Sequence, residues 1–249
     1  MLRRLELNGH SMISRMAQLE VVTNNLANIS TSGFKRDNVF VNALKEKLTF
    51  YEEGGERIES HYPTSSLSGD FTQGNLVETN RPLDVAISGE GFFVVETPQG
   101  EAYTRNGKFT MNAENILTTF DGQIVLGEGG PIEIDNQQKS PNEILINESG
   151  EIYLDGNLID KLQIVAPEDP QKLMKKGANL FQFANASSGM QPVESASVKQ
   201  GFIEDSNVNP VVEMIRMMEI LQQFEMEQKV IRTQDDLLGQ AADQIGRLR

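Results

Sequence analysis

The chain holds few side chains that could do chemistry. Across 249 residues there are two histidines, His10 and His61, and no cysteine. A zinc centre needs three or four Cys, His or carboxylate ligands at set spacing, and a thiol nucleophile needs cysteine. Neither can be assembled from this stock. Gly127-Glu128-Gly129-Gly130-Pro131 is glycine-rich, but it lacks the lysine and the strand-to-helix setting of a phosphate cradle, and Glu128 would repel phosphate. The segment is expected to be a turn. Carboxylate pairs such as Asp155 with Asp160, or Glu148 with Glu151, have the residue types of a glycosidase. With 36 acidic residues such pairs are inevitable, and nothing distinguishes these. Residues 147–160 are rich in oxygen ligands without the ordered spacing and closing glutamate of an EF-hand loop. No catalytic, cofactor-binding or metal site is therefore assigned, no cofactor is expected, and the chain is expected not to be an enzyme.

The net charge of −14 excludes ordinary nucleic-acid and anionic-membrane partners, because no basic surface is available to displace counterions. The charge is unevenly distributed. Residues 1–50 carry seven basic and four acidic side chains, residues 205–249 carry five basic and eight acidic, and the middle holds the whole excess of acid. The two ends are thus electrostatically suited to each other. No apolar run approaches the ~20 residues that span a bilayer, and MLRRLELNGH lacks the apolar core of a cleaved secretion signal. Membrane insertion and a cleaved leader are both unexpected.

The elements available to position anything are two helices bracketing a different kind of chain. Leu5, Met12, Leu19 and Leu26 recur every seven residues, widened by Leu2, Ile13, Met16 and Val22, which predicts an amphipathic helix over about 2–26. The segment from Asn28 to Gly33 reads as its stop. Near the other end Pro210 suits a first helical position, since its missing N–H costs little there. Met217, Phe224, Ile231, Leu238 and Ile245 then recur every seven residues. Seven of the ten methionines lie in these two segments, and their adaptable thioethers suit irregular contacts.

Between the helices the period changes. Short β-prone runs such as Phe92–Val95, Phe109–Met111, Ile124–Leu126, Ile144–Ile146 and Ile152–Leu154 alternate with turn pairs. Those pairs are Gln99-Gly100, Asn106-Gly107, Asp121-Gly122, Ser149-Gly150 and Asp155-Gly156, the pattern of hairpins in an all-β domain. The expected fold class is α+β and discontinuous. Residues 1–45 and 205–249 form a terminal helical domain paired as a coiled coil, 46–75 a linker or small lobe, and 76–204 an outer β domain.

Residues 24–36 read NNLANISTSGFKR, which resembles the N-terminal signature of the axial proteins of the bacterial flagellum. The matching positions are Asn24, Asn25, Asn28, Thr31, Gly33, Phe34 and Lys35. RPLDVAISGEGFFVV (81–95) with AYTRNGKFTMNAENIL (102–117) is similar to the start of the rod proteins' β domain. QGFIEDSNVNPVVEMIRMMEILQQFEMEQKVI (200–231) is similar to their C-terminal block. Three blocks in order are a specific match, and the chain's length favours rod over hook. GEGGPI, SNVNP and QQFEMEQKV are closer to the proximal-rod type than to the distal type.

The resemblance implies a structural rod subunit of the basal body that transmits torque from motor to hook. Its partners would be like subunits, other rod and hook proteins, and the flagellar type III export apparatus, with no small-molecule substrate. The expected assembly interface comprises Leu5, Met12, Leu19 and Leu26 with Met217, Phe224, Ile231, Leu238 and Ile245. Alternatives are a distal-rod or hook-type axial protein or, in another class, a secreted adhesin or stalk.

Overall fold

The computed structural model describes residues 2–42, 48–51, 57–60, 64–134, 144–177, 179–183, 189–193 and 196–246, with side-chain surroundings only within 11–38 and 68–240. The chain divides into two compact units. The first comprises residues 1–27, 37–68 and 209–249, and the second comprises 28–36 and 69–208.

In the first unit, α1 (Leu2–Ala27) and α2 (Pro210–Gly246) are the long elements. Asn209 caps α2: its Oδ1 accepts from the Val211 and Val212 N–H groups at 3.0 and 3.3 Å, with Pro210 at the position that needs no donor. Glu213 lies in the first turn, where the helix dipole favours a carboxylate. Ser11 Oγ donates to Glu227 Oε1 at 2.7 Å, and Arg15 Nε lies 3.6 Å from the same oxygen. The strand β1 (Asp37–Asn42) pairs with β4 (Thr64–Gly69), and β2 (Leu48–Tyr51) forms an antiparallel pair with β3 (Arg57–Ser60). Of the expected linker over 46–75, residues 46, 47, 52–56 and 61–63 lie outside the described residues.

The second unit is β-rich. Its main sheet contains β7 (Phe92–Thr97), β8 (Gly100–Thr104), β9 (Phe109–Met111), β10 (Leu117–Thr119) and β11 (Ile124–Gly127). It also contains β12 (Gly130–Pro131), β16 (Ile164–Pro167), β17 (Leu173–Gly177), β18 (Leu180–Phe183) and β19 (Met190–Pro192). A separate antiparallel sheet joins β13 (Ile144–Ile146), β14 (Glu151–Leu154) and β15 (Asn157–Lys161). The β14–β15 turn places both Asp155 (φ 53°) and Gly156 (φ 81°) in the left-handed region, the backbone that a two-residue hairpin of that twist requires. Asn106-Gly107 does otherwise. Gly107 O accepts from Val85 N, so the chain there crosses to β6 (Val85–Ser88) instead of turning into a hairpin.

Strand β7 explains why its sequence is apolar without alternation. Side chains alternate between faces along a strand, and both faces of β7 are covered. Phe93 and Val95 enter a core with Phe109, Leu117, Val125, Ile132 and Ile152. Phe92 enters a second cluster with Leu173 and Phe181. Phe71, Phe92 and Phe181 meet edge to face with centroids 5.4–5.8 Å apart, a geometry favoured by ring quadrupoles.

The unit closes through its ends in sequence. β5 (Leu76–Glu78) pairs with β21 (Phe202–Glu204), and β6 pairs with β20 (Ser197–Gln200). Of these strands β20, with Ser197, Lys199 and Gln200, is the one too polar to read from its pattern.

Candidate assembly surface and the docked signature segment

The helical unit offers a partly apolar surface. Among the expected interface residues, Met12, Leu19 and Leu26 are half-buried, as are Met217, Phe224 and Ile231, while Leu238 is 37% exposed. The side chains of Leu5 and Ile245 lie outside the described residues. Among the described residues the most deeply covered apolar side chains of the two helices are Val22 and Ile220, which flank the seven-residue repeats. An α-helix drifts ~20° per heptad, so the covered strip follows the neighbouring elements and not the repeat alone.

Outside that strip α2 leaves Val211, Met214, Ile215, Met218, Leu221 and Met226 exposed, and α1 leaves Ile13 and Met16 exposed. Asn25 is buried and pins the start of β1 with both amide atoms. Its Nδ2 donates to Asp37 O at 2.9 Å, and its Oδ1 accepts from Asp37 N at 3.0 Å. A cavity of about 470 Å³ in this unit is lined by Arg15, Gln18, Asn25, Asp37, Glu213 and Arg216 among others.

The signature segment 28–36 is built into the β-rich unit. Its local turn is made by Thr31 N donating to Asn28 O and Phe34 N donating to Thr31 O, both at 3.2 Å. Gly33 adopts φ 70°, and a Cβ there would lie 2.4 Å from Asn106 N, so both its backbone and its packing demand glycine. Gly33 N donates to Glu204 O at 2.7 Å, and Asn179 Nδ2 donates to Ser32 O at 3.1 Å. Phe34 is buried, with the Lys175 ammonium 4.1 Å from its ring centroid, near enough for cation–π attraction. Asn207 Oδ1 accepts from Arg36 N at 2.8 Å.

Lys35 is fully buried, and its ammonium donates to Glu204 Oε1 at 2.5 Å and to Thr72 O at 2.7 Å. Glu204, 1% exposed, also accepts from Gly74 N at 2.8 Å and, through Oε2, from Arg105 Nη1 at 3.3 Å. Arg105, 4% exposed, donates to Gly89 O at 2.9 Å and stacks its guanidinium 5.2 Å from the Phe92 centroid. Burial pushes both Lys35 and Arg105 below their ordinary pKa values, while Glu204 pulls each of them back up. The signature lysine is thus one of three buried charges that meet in a single cluster. Its partners Arg105 and Glu204 are missed from sequence, because nothing local marks an arginine after β8 and a glutamate in β21 as neighbours.

Among the described residues no group of three or more His, Asp or Glu side chains could hold a metal ion. No helix of the described residues is long and apolar enough to cross a membrane. The described residues thus present two long helices with exposed apolar side chains and a β-rich unit that holds a buried ion cluster.

Three family models match: the flagella basal body rod protein at residues 11–35, the flagellar hook protein FlgE/F/G D1 domain at 86–154, and the flagellar basal body rod FlgEFG protein C-terminal at 199–244. The chain is 33% identical over 232 residues to the flagellar basal-body rod protein FlgF of Caulobacter vibrioides, covering 93% of each chain. It is 31% identical over 265 residues to the flagellar basal-body rod protein FlgG of Buchnera aphidicola, covering 96% of this chain and 98% of the relative. A FlgF of Mesorhizobium japonicum is 29% identical over 220 residues. The chain belongs to the flagellar basal-body rod protein family, whose members are structural proteins and not enzymes.

Proposed function

We propose that this protein is a structural subunit of the flagellar rod, of the proximal FlgF type, whose terminal helices pair as a coiled coil and pack on those of neighbouring subunits to carry torque. The observation that supports this most is the exposed apolar set on α2, with Met214, Met218 and Leu221 uncovered beside the strip that holds Ile220. A helix apolar on more faces than its own unit covers has hydrophobic area left for a partner. Burying several such side chains at roughly 1.5–3 kcal/mol each supplies the association free energy. The 33% identity to the FlgF of Caulobacter vibrioides, against 31% to the FlgG of Buchnera aphidicola, supports FlgF over FlgG. In this reading the subunit reaches the periplasm through the flagellar type III apparatus, and it meets other rod and hook proteins there.

The test is replacement of Met218 by Asp in the chromosomal copy of a motile host. Basal bodies purified from that strain should lack the protein and the cells should be non-motile, while the purified variant retains the unfolding transition of its β-rich unit. Incorporation at the normal level would overturn the helix-interface reading.

A further inference from the structure

The buried ion cluster joins parts of the chain that are far apart in sequence, and this bears on the order in which the β-rich unit forms. Its main core is local. All but one of the buried residues in the larger cluster lie between Leu83 and Ile164, and Val198 is the exception. Most of those residues sit in hairpins such as β7–β8 and β10–β11, closed by turns of a few residues. The closing contacts are different. Lys35 and Glu204 are 169 residues apart, and Arg105 and Glu204 are 99 apart. Gly33 N reaches Glu204 O, Asn207 Oδ1 receives Arg36 N across 171 residues, and β21 supplies the ladder partner of β5.

Loop-closure entropy rises with loop length, so contacts within hairpins form before contacts that span most of the chain. The three charges reinforce that order. Lys35 or Arg105 entering a dry site without Glu204 would be an uncompensated buried charge. Neither has reason to dock until β21 arrives.

We infer that the Lys35–Glu204–Arg105 cluster is a latch that closes last, locking the 28–36 segment onto a β core already formed. The segment is a strap belonging to the β-rich unit, and it stays undocked until residues 202–208 are available. A chain growing or emerging from its N-terminus therefore has some 200 residues out before this unit can lock.

Pulse-labelling hydrogen exchange during refolding of the full-length protein tests it. The Leu117 and Thr119 amides, bonded to Ile132 O and Gln123 O, report the core, while the Gly33 and Gly74 amides, bonded to Glu204, report the latch. Gly33 and Gly74 should gain protection at least about tenfold later than Leu117 and Thr119. In Lys35→Met, the core amides should become protected at a rate within about twofold of the parent, with the mutation's effect falling on unfolding. If that variant does not fold, the order of protection in the parent chain decides alone. Simultaneous protection of all four amides, or protection of Gly33 and Gly74 first, overturns the inference.

Discussion

The ammonium of Lys35 lies 2.5 Å from a carboxylate oxygen of Glu204, with both side chains at most 1% exposed. One residue comes from the signature segment that follows the first helix, and the other from the strand that precedes the last. Arg105 sits on the second carboxylate oxygen at 3.3 Å, so a single acid answers two buried cations. Removing the acid should cost far more than removing the exposed pair of Lys161 and Glu128.

Glu204→Gln leaves Lys35 and Arg105 buried without the one carboxylate that both of them contact. Breaking one partner of a buried ion cluster costs roughly 3–5 kcal/mol. Denaturant unfolding of the β-rich unit should show a loss of that size. Lys161→Met, which removes a half-exposed pair to Glu128, should change stability by about 1 kcal/mol or less.

Gly33→Ala meets two obstacles at once. The φ of 70° disfavours any L side chain by roughly 1–2 kcal/mol. The added methyl would also stand 2.4 and 2.5 Å from backbone atoms of Asn106 and Arg105, which cannot rotate away. A loss of more than about 2 kcal/mol is expected, measured by the same unfolding transition.

The pH dependence of Lys35 has a definite sign. Its folded pKa is lowered, burial being the larger cause and Glu204 opposing it. Between that lowered value and the ordinary 10.5, the unfolded chain binds more protons at this site than the folded one. Unfolding free energy from this group therefore rises with pH across the window just below 10.5, as the buried site sheds its proton. The unfolding free energy of the parent chain minus that of Lys35→Met should rise there as pH increases. Comparing the two proteins at each pH cancels the tyrosines that titrate in the same range. A value that falls with pH would mean that pairing with Glu204 outweighs burial.

Asn209→Ala removes the side-chain acceptor for two N–H groups at the start of α2. The cap contributes about 1 kcal/mol, so amide exchange at Val211 and Val212 should quicken several-fold, with little change in β-rich amides.

The amino-acid sequence by itself determined the helical ends, the β-prone middle and the absence of a cysteine- or histidine-based centre. Each of those depends on short-range periodicity or on composition, which one segment carries alone. Gly33 and the Asp155-Gly156 turn were legible for the same reason, since a left-handed backbone is a local demand. Only the tertiary structure decided which charges meet. Lys35, Arg105 and Glu204 look like ordinary polar residues in sequence, and they become a buried cluster because β21 pairs with β5 and brings Glu204 under the signature segment. The same holds for the helices. A seven-residue repeat marks an apolar face, but the covered strip centred on Val22 and Ile220 was set by what packs against it, and no single segment encodes that.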